Sequence, residues 1–347
     1  MLPNLNWLPP WSREEPGSDR PSELLQSETG SSMLPVGREP KMQIRVHLAT
    51  CLRRRTMMTR RGFLGRALVG AAASSAVAAR GVWGAGKLAW SGPIGLELYT
   101  VRELFKKDPA GTLKQVAAAG YQQVEIAPGL EPQTLNDALR AAGLTAPSGY
   151  FENPKTLEDW KKTVEEAHAY GVRYAVVGDN PRLDSETWKR RTDLYNDCGK
   201  IAAGAGIQFC YHNHFHEFER KGDASGYDLM LKRCDPQLLK MEMDIFWAIY
   251  AGQDPLAYWR NYPGRFPLLH IKDIKKGVTI NPHEDPKEKV NPFAPVGQGR
   301  IDWQAIFAHV HEAGAKHIIV EQDQCDVPPL EAIKISFEYL KGLRLNG

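Results

Sequence analysis

Short apolar runs alternate with longer segments of helical periodicity from residue 92 to the end of the chain. Runs rich in β-branched and apolar residues predict buried strands, and apolar positions three and four residues apart predict amphipathic helices. The predicted strands are 94–99, 123–127, 145–150, 174–178, 207–213, 240–246, 267–272 and 317–321. The predicted helices are 110–119, 133–142, 156–169, 186–204, 226–233, 254–261, 302–313 and 330–342. This alternation indicates an α/β fold with a parallel sheet and crossover helices.

Glycines mark the ends of several predicted helices, each at an Ala-Gly or Tyr-Gly step: Gly120, Gly143, Gly171, Gly206 and Gly314. Glycine tolerates the left-handed conformation that ends a helix before the next strand. Eight such units over roughly 250 residues predict a single-domain, closed (β/α)8 TIM barrel. The alternative is an open doubly wound sheet, but no Gly-x-Gly-x-x-Gly motif follows a predicted strand to support a nucleotide-binding fold.

The first 90 residues follow a different pattern. Residues 1–56 are rich in Pro, Ser and Arg without periodicity, which predicts a disordered or non-native extension. From Thr59, Thr-Arg-Arg-Gly-Phe-Leu-Gly precedes an uncharged apolar run at 67–79. This run is shorter than the about 20 residues that a membrane-spanning helix needs, and it lacks the polar face of an amphipathic first helix. It resembles a twin-arginine signal peptide, with a candidate cleavage site at Ala76-Val77-Ala78.

We therefore predict a signal peptide and short linker at 57–90, with Met57 or Met58 as the start, and the barrel at 91–347. Twin-arginine signals imply export of a folded protein, so the expected location is periplasmic or extracytoplasmic, with membrane contact only during export. Export argues against a phosphorylated substrate, and no phosphate-binding glycine loop is present in the sequence.

Composition narrows the function further. The chain has 44 Lys and Arg against 41 Asp and Glu. Its basic excess lies near the N-terminus, at Arg53, Arg54, Arg55, Arg60, Arg61, Arg66 and Arg80. The remainder is almost neutral, so no nucleic-acid partner is expected. Five cysteines form no Cys-x-x-Cys pair, which disfavours a disulfide framework.

Metal-ligand side chains occur at the ends of four successive predicted strands. These ends read Tyr-His-Asn-His-Phe-His-Glu-Phe at 211–218, Glu-Met-Asp at 242–244, Leu-His-Ile-Lys-Asp at 269–273 and Val-Glu-Gln-Asp at 320–323. The active site of a TIM barrel lies at this end of the strands. A lone histidine is more often a hydrogen-bonded core residue, but packing alone explains four polar strand ends poorly. Nitrogen and carboxylate donors without a thiolate suit Mn²⁺, Zn²⁺, Co²⁺ or Mg²⁺.

These strand ends resemble the xylose-isomerase-like superfamily, in particular the sugar phosphate isomerase/epimerase group that includes inosose dehydratases and ketose 3-epimerases. The resemblance covers residues 93–343 and includes the motifs at 95–102 and 296–303. It implies a divalent metal held by Asp244, His270 and Glu321. Many members have a strand-five Glu where this chain has His212, and Glu217 lies five residues further on. Either residue could complete the ligand set.

The resemblance also implies a metal-dependent isomerase or epimerase that acts on a small sugar or keto-sugar through an enediolate. A metal on the carbonyl acidifies the neighbouring C–H bond, and a base removes the proton. The predicted proton-transfer groups are Glu321 and, opposite it, His212 or His214. Lys272 is predicted as a charge near the developing enolate, or alternatively as an ion-pair partner of Asp273 or Glu242.

Other residues are predicted to line the pocket. The common strand-one Gln of the family is Glu97 here, and Glu125 and Tyr150 end strands two and three. Packing beneath the mouth is the alternative for the last two. Phe246 and Trp247 are predicted to form an apolar wall against a sugar ring.

Three other functions stay open. A dehydratase of the inosose-dehydratase type, acting on a keto-inositol or 3-keto-sugar, is favoured by the similarity of residues 295–324 to that group. A nuclease like endonuclease IV would need a denser metal cluster and a basic face. A non-catalytic carbohydrate-binding protein could share the fold. The expected partner is a small carbohydrate, and a homo-oligomer is left open.

Overall fold

The computed structural model of the protein describes residues 86–178, 182–222, 224–281, 284 and 290–345. The predicted extension at 1–56 and the signal peptide, including its twin arginines and cleavage site, lie outside the described residues. Residues 87–89 belong to the predicted linker and run antiparallel to 343–345, with Ala89 N donating to the Leu343 carbonyl at 3.1 Å. The part of the linker that is described therefore packs on the end of the barrel.

Ten strands are present in the described part of the chain. They are β1 Ile94–Glu97, β2 Gln123–Ile126, β3 Thr145–Tyr150, β4 Tyr174–Gly178, β5 Gln208–His212, β6 Leu239–Asp244, β7 Leu268–Ile271, β8 Asp273–Ile274, β9 Phe293–Ala294 and β10 His317–Val320. Eight of them close into a parallel barrel in the order β1-β10-β7-β6-β5-β4-β3-β2. The predicted (β/α)8 barrel is confirmed. Strands β8 and β9 form a small antiparallel hairpin that was not predicted.

Helices connect the strands. They are α1 Arg102–Lys107, α2 Pro109–Ala118, α3 Pro132–Ala142, α4 Leu157–Tyr170, α5 Ser185–Gly204, α6 Gly226–Arg233, α7 Ile245–Tyr250, α8 Pro255–Asn261, α9 Trp303–Ala308, α10 Val310–Ala313 and α11 Pro329–Gly342. Among the described residues, no helix combines the length and apolar character needed to cross a membrane.

Local sequence signals explain where the helices begin and end. Thr156 and Asp159 form a reciprocal capping box at the start of α4. Gly143 and Gly171 follow α3 and α4 with φ of 73° and 74°, a conformation that costs glycine little. Positive φ angles occur at all five glycines that were predicted to end helices.

Carboxylates at strand ends explain the main differences from the predicted elements. The strand predicted at 240–246 ends at Asp244, because its side chain accepts from Trp247 N at 2.9 Å and begins α7. The strand predicted at 94–99 ends at Glu97, which accepts from Tyr99 N at 3.1 Å as the chain enters a 3-10 turn. The helix predicted at 302–313 is divided into α9 and α10. At these two positions the strand therefore ends at a polar capping side chain, although the apolar pattern of the sequence continues beyond it.

The carboxylate of Asp273 organises the segment after β9. It is fully buried and accepts from the backbone N–H groups of Gly297, Gly299 and Ile301 at 2.9 to 3.1 Å. It also accepts from Trp303 Nε1 at 2.9 Å. The conspicuous motif at 296–303 is thus a loop folded around one buried charge.

Candidate functional site

The carboxyl ends of the barrel strands surround a small cleft. Its lining residues are Glu97, Tyr99, Tyr150, His212, His214, His270, Glu321 and Asp323. Barrel strands run parallel, so residues that end different strands meet at this one rim. The structure therefore brings together side chains that are separated by more than 200 residues in the sequence.

His212, Asp244 and His270 form a group that could hold a metal ion. All three are buried, and each offers one donor atom within 4.8 Å of the others. His212 Nε2 lies 3.8 Å from Asp244 Oδ2. Glu321 adjoins this group, with its Oε2 at 3.0 Å from His270 Nδ1. The predicted ligands Asp244, His270 and Glu321 thus lie together, and His212 lies with them.

Glu217 lies on the other side of β5. It accepts from Tyr211 OH at 2.8 Å and from His214 N at 3.0 Å. Tyr211 packs against the Trp188 and Tyr195 rings of α5, and successive strand residues point to opposite faces. The structure brings His212 and not Glu217 to the group, although the choice of ligand stays a prediction.

Two further carboxylates lie beside the histidines. Glu242 Oε2 is 3.0 Å from His212 Nδ1 and 3.3 Å from His270 Nε2. Glu125 Oε1 is also 3.3 Å from His270 Nε2, and Ser148 Oγ donates to the other Glu125 oxygen. The sequence analysis considered Glu242 only as a partner for Lys272. Side chains alternate between the two faces of β6, so residues 242 and 244 share one face. This alternation could have predicted that Glu242 lies near the proposed ligand Asp244.

Lys272 is buried among three carboxylates. Its Nζ lies 3.1 Å from Asp244 Oδ2, 2.6 Å from Glu321 Oε2 and 2.7 Å from Asp323 Oδ1. Burial opposes the charge, but these carboxylates outweigh burial and raise the pKa of Lys272 well above its usual value. The partners differ from the suggested pairing with Asp273 or Glu242, because Asp273 points toward the loop amides of 297–301. Lys272 is therefore a fixed positive charge.

Negative charge is in excess at this end of the barrel. This end of the barrel contains six buried carboxyl groups: Glu97, Glu125, Glu242, Asp244, Glu321 and Asp323. It also contains three buried nitrogen groups: His212, His270 and Lys272. The carboxylates outnumber the possible cations even when both imidazoles carry a proton. Glu97 Oε2 and Glu242 Oε1 are buried without a hydrogen-bond partner. The charge excess and these atoms fit a divalent cation, because buried charge requires compensation.

The pKa values follow from the same crowding. Burial and the neighbouring Glu125 raise the pKa of both Glu97 and Glu242 well above the usual value. Burial raises the pKa of Asp244 to about 6. Burial would also raise the pKa of Glu321, but Lys272 and His270 lower it to about 2. Glu321 therefore stays charged near neutral pH, whereas burial favours the protonated form of Glu97.

Of the other residues predicted to line the pocket, some line the cleft and some do not. Tyr150 lines the cleft, and its ring lies edge-on to His212 at 5.5 Å. Phe246 and Trp247 are at most 1% exposed. They pack in an aromatic cluster with Phe215, Tyr250 and Phe293. Neither they nor the buried Glu125 belong to the described lining, whereas Tyr99 and Asp323 do and were not singled out from the sequence.

Comparisons with known proteins agree with the barrel fold. The chain is 23% identical over 261 residues to the inosose dehydratase of Lacticaseibacillus casei, covering 66% of this chain and 87% of that one. A solved sugar phosphate isomerase/epimerase from Parabacteroides distasonis is 26% identical, with a TM-score of 0.62 over 73% of this chain and 99% of that one. A solved IOLI protein with a bound zinc atom shares the fold at 15% identity and a TM-score of 0.54, covering 71% of this chain and 95% of that one.

The profile of one family matches most of the barrel, from residue 113 to residue 343. This range is more than half of the chain and includes β2 to β10. The resemblance inferred from the strand-end motifs is confirmed at this level: the chain belongs to the xylose isomerase-like TIM barrel family.

Proposed function

We propose that the protein is a cation-dependent isomerase or epimerase that acts on an uncharged keto-sugar or keto-polyol. It would remove the proton from the carbon beside the carbonyl group. The proton would then return to the opposite face of that carbon or to the adjacent carbon. The observation that carries the proposal is the cleft at the carboxyl ends of the strands. There the group His212, Asp244 and His270 adjoins the imidazole of His214 and the buried carboxyl group of Glu97, whose pKa burial raises. Proton abstraction next to a carbonyl requires a cation, a base and an acid of this kind.

His212, Asp244, His270 and Glu321 would hold the cation. When bound, a divalent cation polarises a carbonyl and an adjacent hydroxyl, so that the neighbouring C–H becomes acidic. The donor set suits Zn²⁺, Mn²⁺, Co²⁺ or Mg²⁺, and the zinc atom of the IOLI structure makes zinc a suitable first choice. Glu321, with a pKa of about 2, suits this holding role better than the proton-transfer role predicted from the sequence.

The remaining side chains would handle the proton. His214 lines the cleft, and its ring lies 5.1 Å from that of His212. An imidazole exchanges protons near neutral pH, so His214 suits the base. Glu97 suits the acid, since burial raises its pKa and favours its protonated form. The charge of Lys272 would stabilise negative charge that develops on a substrate oxygen.

A dehydratase is the second candidate, and it shares the first step. Loss of water after proton removal requires an acid beside the leaving hydroxyl group. Glu97 could supply this proton, and the curated relatives named inosose dehydratases favour this outcome. Epimerisation instead returns the proton to carbon. The two reactions therefore differ in where the acid delivers its proton.

The charge of the cleft favours an uncharged substrate. Two carboxylates, Glu321 and Asp323, belong to the lining beside Glu97. The nearest buried ammonium, that of Lys272, already contacts three carboxylates. A phosphate ester would meet like charge at short range, where repulsion is strong. Hydroxyl groups, in contrast, can donate hydrogen bonds to these carboxylates.

Proton NMR in D₂O tests the proposal. The protein, loaded in turn with Zn²⁺, Mn²⁺ or Co²⁺, is incubated with keto-sugars, keto-inositols and a keto-sugar phosphate. We expect cation-dependent deuterium incorporation with appearance of an epimer or isomer, and slower exchange with the phosphate. An enone-type product would establish the dehydratase instead. Absence of exchange with every substrate and cation would contradict both reactions and favour a carbohydrate-binding protein.

We also propose that the protein is exported by the twin-arginine route. The Thr-Arg-Arg-Gly-Phe-Leu-Gly motif and its apolar run support this proposal. Replacing Arg60 and Arg61 with Lys should retain uncleaved protein in the cytoplasm, because the signal is read through the arginine pair. Cell fractionation with mass determination of the N-terminus is the measurement. Arg66→Lys/Arg80→Lys, which leaves the arginine pair intact, is the control, and equal export of both double variants would refute the proposal.

A further inference from the structure

We infer that Glu242 is a positioning residue that orients both imidazoles of the proposed cation site. Its single oxygen Oε2 lies 3.0 Å from His212 Nδ1 and 3.3 Å from His270 Nε2. The side chain is fully buried. The inference rests on the proposed function, because it concerns residues that would hold the cation.

Strand register explains why one carboxylate reaches both histidines. β6 lies between β5 and β7 in the barrel. Glu242 is the register partner of His212 on β5, and Asp244 is the partner of His270 on β7. Met241 and Met243 pack in the main core, so Glu242 and Asp244 share the inner face. Glu242 therefore lies one step below Asp244, between the two imidazoles.

This position determines which nitrogen of each ring faces the cleft. An imidazole that turns one nitrogen toward a carboxylate presents its other nitrogen on the opposite side of the ring. His212 Nδ1 is hydrogen-bonded to Glu242, whereas His270 Nε2 contacts it without a hydrogen bond. With Glu242 beside His212 Nδ1 and His270 Nε2, the outward atoms are His212 Nε2 and His270 Nδ1. These atoms lie 3.8 Å from Asp244 Oδ2 and 3.0 Å from Glu321 Oε2. Both rings thus present a nitrogen to the carboxylates of the proposed site.

Glu125 lies beside the same nitrogen of His270. Its Oε1 atom is 3.3 Å from His270 Nε2, and Ser148 Oγ donates to its other oxygen. Glu242 Oε2 lies 3.0 Å from His212 Nδ1. Removal of Glu242 therefore leaves a carboxylate beside His270 Nε2.

Glu242→Gln tests the inference, because glutamine keeps the size of the side chain but replaces the carboxylate whose Oε2 atom faces both rings. We expect Co²⁺ and Mn²⁺ to bind about 10- to 100-fold more weakly in calorimetric titrations, as is usual when a carboxylate behind a metal-bound histidine is lost. The visible absorption spectrum of bound Co²⁺ should also change, since the ligand geometry changes. Cys210→Ala, one inward position below His212 on β5, is the control for altered packing and should bind both ions like the wild type.

Ring tautomers provide a readout that does not need the metal. In long-range ¹H–¹⁵N spectra of histidine-labelled protein without metal, wild-type His212 should carry its proton on Nδ1, and Glu242→Gln should alter this pattern. If the wild type binds neither ion but shows this tautomer, the cation-dependent function fails and the positioning role of Glu242 stands. Unchanged affinity, Co²⁺ spectrum and tautomer in Glu242→Gln would overturn the positioning role and leave the proposed function intact.

Discussion

Asp244→Asn is expected to lower the rate of cation-dependent proton exchange by about 1000-fold. Loss of the carboxylate removes a charged ligand, and the charge stabilisation that a cation supplies is several kcal/mol, of which about 4 kcal/mol corresponds to this factor. Asparagine keeps an oxygen that can accept from Trp247 N and cap α7. The fold should therefore persist while the cation is lost. Exchange in D₂O and metal content by elemental analysis are the measurements.

A matched control exists for the helix-capping role of Asp244. Asp184 also begins a helix, α5, and accepts from Thr187 N at 2.7 Å, but it is exposed and does not belong to the cleft lining. Asp184→Asn should exchange substrate protons at the wild-type rate. If Asp244→Asn retains its bound metal and its exchange rate, the proposed cation site is wrong.

Asp273→Ala is expected to destabilise the protein by about 4 kcal/mol. The change leaves several buried N–H donors around 297–303 without their charged acceptor, and each such loss costs roughly 1 to 3 kcal/mol before relaxation. For a domain of this size, the midpoint of thermal unfolding should fall by roughly 10 °C. Urea unfolding followed by circular dichroism is the measurement.

Two variants calibrate this expected loss. Asp273→Asn keeps one carbonyl oxygen but turns an NH₂ group toward N–H donors, so an intermediate loss is expected. Asp302→Ala removes an exposed cap that accepts from Ala305 N at 3.0 Å and should cost about 1 kcal/mol. A loss in Asp273→Ala no larger than that in Asp302→Ala would show that water replaces the carboxylate.

The architecture was largely predictable because it depends on local patterns. Buried strands of a parallel sheet are apolar on both faces, and glycines mark the helix ends. These signals located all eight barrel strands within a few residues. Errors occurred where one polar side chain ended an apolar run, as at Glu97 and Asp244. Such a cap depends on a backbone hydrogen bond, which hydrophobic periodicity does not encode.

The function was predictable to the level of the family but not to the reaction. Four polar strand ends identify the rim of the barrel as the site, because any closed parallel barrel gathers its strand ends there. Epimerisation and dehydration share proton abstraction, so the same strand-end residues serve both. In the proposed mechanism, their difference would depend on where Glu97, the proposed acid, lies relative to the substrate.

The sequence by itself determined the barrel, its rim and the candidates Asp244, His270 and Glu321. The tertiary structure decided which neighbours each of them meets. It placed His212 inside and Glu217 outside, although the two residues are five positions apart. It also buried Phe246 and Trp247, surrounded Lys272 with three carboxylates and set Glu242 between two histidines. The physical reason is that alternation along a strand selects the face of each side chain, whereas contacts between strands depend on a register that closure of the barrel imposes.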